Sequence, residues 1–162
     1  MYGKILIPLD GSKLAEGVLP YVEELARRFQ SEVTLIQVVA PLSKLVAETV
    51  PASLEPTGAG AAVGLEAAAE AVKAEREGAR AYLEGVAERL KAGGITVQVE
   101  VVEGMAGDAV VDYAHHHELD LIAMSTHGRS GLLRLVYGSV ADHVLRHAGT
   151  PVLLIRSKSA KG

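Results

Sequence analysis

The sequence predicts an α/β fold, an open parallel sheet with helices on both faces. Short apolar runs alternate with helix-period stretches along the 162 residues, giving five β segments separated by helical ones. The first, fourth and fifth runs are continuously apolar, as strands covered on both sides must be. The length is about that of one ordinary domain, so a single domain is expected over residues 1–162.

The elements follow in order. Lys4 to Leu9 reads as a buried strand, stopped by Asp10-Gly11-Ser12. Ser12 stands where it can cap the next helix, and Glu16 lies near that N-terminus, where negative charge is favoured. From Leu14 to Phe29 the apolar residues Leu14, Val18, Tyr21, Val22, Leu25 and Phe29 recur three or four apart and mark one helix face. Val33 to Val39 is the second strand, ended by Pro41. Residues 41–65 mix Pro41, Pro51 and Pro56 with Gly58, Gly60 and Gly64, and are expected to form a loop insertion with at most a helical turn near Leu42 to Glu48. A lid over a ligand or a surface insertion would both fit; the stretch carries no site chemistry, which favours the insertion. A helix from about Leu65 to Ala92 follows, with Val72, Ala79, Tyr82, Leu83, Val86 and Leu90 on one face. Gly78 and Gly85 weaken it by about 1 kcal/mol each relative to Ala, so packing must hold it. Then come a strand at Ile95 to Val102, a helix at about Ala106 to His117, a buried run at Leu119 to Met124, a glycine-punctuated loop, a helix at Val136 to His147 and a last strand at Pro151 to Ile155.

Composition excludes several function classes. With 49% hydrophobic and 22% charged residues, the chain has enough apolar material for a core and is not a disordered tail. No apolar run approaches the roughly 20 residues that span a bilayer, and Met1 to Asp10 lacks the long apolar stretch of a signal peptide, so no membrane partner and a cytoplasmic location are expected. The absence of cysteine removes disulfides and thiolate metal sites. Five Tyr, one Phe and no Trp leave no series of rings for single-stranded nucleic acid, and the acidic total of −4 also argues against a nucleic-acid partner. That −4 is uneven: residues 1–126 hold 10 bases and 19 acids, or −9, whereas residues 127–162 hold 6 bases and Asp142 alone, or +5. Chance patterning of a solvated face would also produce such a block.

In an open parallel sheet ligands bind past the carboxyl ends of the strands, where strand order reverses. The candidate ends are Asp10-Gly11-Ser12, Val38-Val39, Glu103-Gly104-Met105 and Ser125 to Gly131. The last reads Ser125-Thr126-His127-Gly128-Arg129-Ser130-Gly131, followed after six residues by Gly138-Ser139. Glycines and small hydroxyl residues let backbone N–H groups turn toward one point, and a helix N-terminus adds its partial positive charge, which is what a polyphosphate needs. The competing account is a glycine-rich surface turn. Position after a strand, in the basic segment and near the crevice, favours phosphate, and Arg129 is a phosphate partner on charge grounds. No Gly-x-x-x-x-Gly-Lys-Ser/Thr is present, and the turn after the first strand is not Gly-x-Gly-x-x-Gly, so a P-loop hydrolase and a Rossmann dehydrogenase are not expected. His115, His116 and His117 point about 100° apart around a helix, and His143 and His147, four apart, lack an evident third ligand; no metal site is expected.

Gly128, nine residues, then Gly138-Ser139 matches the second half of the nucleotide motif Gly-x-x-Gly-(nine residues)-Gly-Ser/Thr of the universal stress proteins. Ile5 to Ser12, Ser125 to Val140 and Thr150 to Arg156 also resemble that family's opening strand, loop and last strand, so the similarity runs along essentially the whole chain. The motif's first glycine falls on Ser125, a small polar residue. The resemblance implies a five-stranded parallel sheet of order 3-2-1-4-5, of the adenine nucleotide alpha hydrolase-like kind. It implies an adenine nucleotide ligand, ATP or ADP or AMP, with any Mg2+ held through the phosphates. Pro8 and Asp10 would line the nucleoside, Val38 would meet adenine through its backbone, and Met124 would flank the base. Ser125, Thr126, His127, Gly128, Arg129, Ser130 and Gly131, with Gly138, Ser139 and Val140, would hold ribose and phosphates. Read from the residues alone, Asp10 could equally be a turn-forming acid, Met124 a core side chain and His127 a residue that shapes the loop.

Val152 to Ile155 is apolar and would be a sheet edge in that order, which invites pairing with another chain; in the family the last strands commonly pair between subunits, so a homodimer through Pro151 to Arg156 is expected. The reading is thus a nucleotide-binding regulatory module with an unnamed protein partner, not a dedicated enzyme, because no general base or metal-binding carboxylate cluster lies near the loop. At most slow hydrolysis is expected. The alternative is a dimeric interaction protein of the same fold that binds no nucleotide. An adenylate-forming or tRNA-synthetase-like enzyme is weaker still, since His-x-Gly-His, Lys-Met-Ser-Lys-Ser and Ser-Gly-Gly-x-Asp-Ser are all missing. With so few aromatics, adenine should rest on aliphatic walls and backbone hydrogen bonds rather than on stacked rings.

Overall fold

The computed structural model describes residues 1–44, 59–127 and 138–157, of which 59–63, 127 and 157 as backbone. Five strands form one sheet: β1 (Lys4–Pro8), β2 (Glu32–Val39), β3 (Thr96–Glu103), β4 (Leu121–His127) and β5 (Val152–Ser157). Their order is β3-β2-β1-β4-β5, and every neighbouring pair is parallel, as expected. The helices are α1 (Leu19–Phe29), α2 (Ala59–Ala92), α3 (Ala106–His116) and α4 (Ser139–His147).

Because side chains alternate across a strand, each strand feeds two cores. Ile5 and Ile7 of β1, Val33 and Leu35 of β2 and Ala123 of β4 turn toward Val22 and Ala26 of α1 and Ala79, Leu83, Val86 and Leu90 of α2. Leu6, Ile36, Ile122 and Met124 turn the other way, toward Val110, Val111 and Ala114 of α3 and Ala141 and Val144 of α4. Helices therefore cover both faces.

Several boundaries differ from the sequence expectation. The first helix is broken: Ala15–Val18 is a 3-10 turn and the α-helix starts at Leu19. Pro20 has no N–H to reach the Glu16 carbonyl, which is instead taken by the Leu19 N–H. α2 begins at Ala59, not Leu65, so the expected loop ends earlier. Extension from an existing helix adds a bond per residue, and the alanines of this stretch propagate it despite Gly60 and Gly64. Residues 42–44 are helical, and the rest of the expected insertion, 45–58, lies outside the described residues. β4 starts at Leu121, not Leu119, because Leu119 ends α3: its N–H bonds Ala114 O and that of Glu118 bonds His115 O, with Glu118 left-handed at φ 51°. β4 also runs on to His127, so Ser125 and Thr126 are strand rather than loop; β5 supplies partners for them in Ile155 and Arg156.

α2 rests on its buried stripe and not on its propensity. An ideal Cβ at exposed Gly78 meets nothing within 4 Å, so Gly78→Ala should stabilise the protein by about 0.5–1 kcal/mol. Leu83, fully buried, should cost about 2–5 kcal/mol as Leu83→Ala. Urea denaturation of both variants measures the two signs; a neutral Leu83→Ala would contradict this packing.

Candidate functional site

The site begins where β1 and β4 part. Leu9 donates its N–H to Ile36 O on β2 at 2.9 Å. Alternate N–H groups of a strand face opposite sides, so residue 8 faces β4, and Pro8 has no N–H to put there. β1 and β2 stay in register through Pro8↔Ile36, whereas β1 and β4 pair only at Ile5↔Leu121 and Leu6↔Ile122. Past that point the chain leaves β1 toward β2 on one side while β4 lies on the other, and a crevice opens between them.

Beyond β1 the backbone turns at Gly11, whose φ of 82° suits a residue without Cβ. Asp10 Oδ1 accepts the Ser12 N–H at 2.9 Å, and Ser12 Oγ accepts the Ala15 N–H at 3.1 Å. Asp10 is thus both a turn-forming acid and a wall of the crevice, and Ser12 does cap the helical turn after it. On the far wall the Ser125 and Thr126 hydroxyls are buried and have no hydrogen-bond partner among the described residues. Buried hydroxyls without partners are costly and rare, so they mark a place where something else completes the bonding. Next to them α4 starts at Gly138 with no side-chain cap; its first bond is Asp142 N–H to Gly138 O, which leaves the N–H groups of Ser139, Val140 and Ala141 open among the described residues. α3 likewise starts at Met105 without a side-chain cap.

These pieces enclose a crevice of about 210 Å³. Of the sequence candidates it brings together Pro8, Asp10, Val38, Met124, Ser125, Thr126, Gly138, Ser139 and Val140. His127 ends β4, and its side chain is not described. Gly128, Arg129, Ser130 and Gly131 lie outside the described residues. Met124 serves two purposes, since it is 6% exposed in the α3–α4 core and also lines the crevice. Leu14, Ala15, Ile36, Ala106, Val110 and Ala141 complete the lining and were not legible as site residues. In sequence they carry the same apolar periodicity as core positions. The side chains of the described lining are aliphatic or small, with no aromatic ring among them.

The crevice turn is tied to the opposite face of the sheet. Glu16 accepts from Arg89 Nη2 at 3.0 Å and from the Tyr82 hydroxyl at 3.3 Å, both on α2. Its own N–H bonds Ser12 O at 3.3 Å. Arg89's hydrogen bond, then its charge, hold the Glu16 carboxyl below its ordinary value. Burial, then the charge and hydrogen bond of Glu16 and the charge of Asp10, push the Tyr82 phenol up to about 12. On α4, Arg146 forks onto Asp142 at 2.9 and 3.1 Å, and that pairing lowers the Asp142 carboxyl. Of the six C-terminal bases Arg146 is therefore engaged, Arg156 is in β5, and Arg129, Arg134, Lys158 and Lys161 lie outside the described residues.

The universal stress protein family model matches residues 1–156. The chain belongs to the universal stress protein family. Universal stress protein MJ0531 of Methanocaldococcus jannaschii is 32% identical over 158 residues, covering 96% of this chain and 83% of that one. The structure of MJ0577, from the same organism, is 27% identical and superposes with a TM-score of 0.76 over 99% of both chains. Two solved structures share the fold at lower identity: a universal stress protein in complex with cAMP (19%, TM-score 0.64, 97% and 98% coverage) and an Arabidopsis thaliana family member with AMP bound (15%, 0.62, 98% and 94%). Family membership and the 3-2-1-4-5 sheet of this universal stress protein agree with the motifs read from its sequence.

The Glu16 cluster has a defined pH signature. Tyr82's raised pKa stabilises the fold below the phenol's ordinary 10.0, and that contribution is lost as pH climbs toward about 12. Glu16's lowered pKa contributes above 4.5 and is lost as pH falls through the depressed value. Glu16→Gln should therefore bring the Tyr82 titration down toward 10.0, read by phenolate absorbance against a Tyr82→Phe blank. An unmoved titration would show that Glu16 is not the partner.

Proposed function

We propose that this universal stress protein binds an adenine nucleotide, ATP or ADP or AMP, in the crevice between β1 and β4, as a regulatory module of the stress response. The observation that carries the reading is the pairing of an uncapped α4 N-terminus with the Ser125 and Thr126 hydroxyls, which have no partner among the described residues, in a crevice with aliphatic walls. A helix N-terminus favours phosphate, hydroxyls suit ribose or phosphate oxygens, and Ile36, Val38, Val110 and Met124 suit a flat base without ring stacking. Two proteins of this fold were solved with AMP and with cAMP, which supports the fold as one that accommodates adenine nucleotides.

In this reading Pro8, Asp10, Val38 and Met124 line the nucleoside, with the Asp10 carboxylate an acceptor for its donors. Ser125, Thr126, Gly138, Ser139 and Val140, joined by His127, Gly128, Arg129, Ser130 and Gly131, hold ribose and phosphates. Among the described residues no group of three His, Asp or Glu is placed to hold a metal ion, so Mg2+ would be bound through phosphate oxygens. Asp10 is the one ionisable side chain among the described lining residues, and its Oδ1 is held by the Ser12 N–H, so we assign at most slow hydrolysis and a protein that acts by binding. No helix among the described residues is long and apolar enough to cross a membrane, and we assign a cytoplasmic location. β5, with Val152 and Leu154 packed against one core, Leu153 and Ile155 against the other, and no strand beyond it among the described residues, is the proposed homodimer edge through Pro151 to Arg156.

Calorimetric titration with ATP and AMP tests the nucleotide reading. Binding is expected below about 1 mM, roughly −4 kcal/mol; no binding by either would leave the non-nucleotide interaction protein as the better account. Gly138 has an ordinary φ of −55°, and a Cβ there meets nothing within 4 Å. Gly138→Val should therefore keep its melting temperature and lose binding, and retained affinity would refute the assigned α4 contact. Light scattering at micromolar concentration should give a dimer; a wild-type monomer would reject the edge pairing.

A further inference from the structure

One wall of the crevice is made by the stretch that joins β1 to α1, which contributes Asp10, Leu14 and Ala15 to the lining. Its start is fixed to the sheet by the Leu9 N–H on Ile36 O. Past Leu9 its hydrogen bonds are local: the Ser12 N–H to Asp10 Oδ1, the Ala15 N–H to Ser12 Oγ, the Glu16 N–H to Ser12 O and the Gly17 N–H to Leu14 O. Such bonds give a turn its shape without fixing its place on the sheet. Ala15 and Val18 add apolar packing, which is non-directional.

The directional contact is made by Glu16, which does not line the crevice. Among the described residues its carboxylate is the one side-chain link between residues 10–18 and another element, accepting from Arg89 Nη2 at 3.0 Å and from the Tyr82 hydroxyl at 3.3 Å. Its side chain is 17% exposed against 59% for Arg89, so the two donors stand where water otherwise would. Tyr82 and Arg89 lie two turns apart on α2, which the buried Leu83, Val86 and Leu90 hold on the sheet. The Asp10 charge acts on the same phenol as Glu16 does. The crevice turn and its anchor therefore meet at one hydroxyl.

We propose that Glu16 is a positioning residue for the crevice ligand: anchored to Arg89 and Tyr82 of α2, it holds the Asp10 to Ala15 wall in place opposite β4, and ligand affinity depends on that anchor. This rests on the nucleotide reading above and adds a residue that acts through the wall rather than on the ligand. A wall already in place binds without first being ordered, and that ordering cost returns when the anchor is cut.

AMP is titrated calorimetrically into the full-length protein and its variants. Glu16→Ala and Arg89→Ala should each weaken binding about fivefold. The double variant should bind no more weakly than Glu16→Ala, since the second change removes a partner already lost. Arg89→Lys, which keeps the charge, should retain most of the affinity. Leu83→Ala separates position from stability: it removes core packing from the same helix, should lower the melting temperature further than either anchor variant, and should bind AMP as wild type does at a temperature where it is folded. Unchanged affinity in Glu16→Ala and Arg89→Ala, additive losses in the double variant, or an equal loss in Leu83→Ala overturns this inference and leaves the nucleotide reading standing. A wild type that binds neither AMP nor ATP overturns both.

Discussion

The architecture of this universal stress protein turns on one interrupted ladder. β1 lies at the centre of the sheet, bonded to β2 along its whole length and to β4 only over Ile5 and Leu6. Pro8 withholds the donor that would carry the second ladder further, and a parallel sheet whose strand order reverses at this place has no connection crossing the gap. The opening is therefore built from backbone chemistry and topology together. Neither would suffice alone: a switch point with continued pairing would be narrower, and a proline on an edge strand would open nothing.

Around that gap, the elements contribute ends rather than faces. α3 and α4 present uncapped N-termini, β4 presents two hydroxyls, and β1 presents the Asp10 turn. Each end is held by contacts made elsewhere. The Asp10 turn is anchored through Ser12 and Glu16 to α2 on the other side of the sheet, and α4 is pinned to α3 by His143 and Asp108. A crevice made of element ends can be polar where the cores beside it are dry, because helix and strand termini carry the backbone groups that the regular structure leaves unpaired.

Charge is arranged differently from what its distribution along the chain implies. The basic C-terminal segment carries +5, yet Arg146 is spent on Asp142 rather than aimed at the crevice. Among the described residues the positive character of the crevice comes from helix N-termini, which composition does not count. Net charge counted along the chain therefore does not describe the charge that the described crevice presents.

By itself the sequence determined the fold class, the strand order through its family motifs, and nine residues that line one crevice, because alternation of apolar runs and the spacing Gly128 to Gly138-Ser139 are local properties. Tertiary structure decided the rest. It carried β4 through Ser125 and Thr126 because β5 offered them partners, ended α3 with a left-handed Glu118 where no glycine signalled a stop, and drew α2 back to Ala59. It also assigned Leu14, Ala15, Ile36, Ala106, Val110 and Ala141 to the crevice wall and set His143 against Asp108. Those assignments depend on which surface an apolar or titratable residue meets, and that is a property of packing across the chain, invisible to spacing within it.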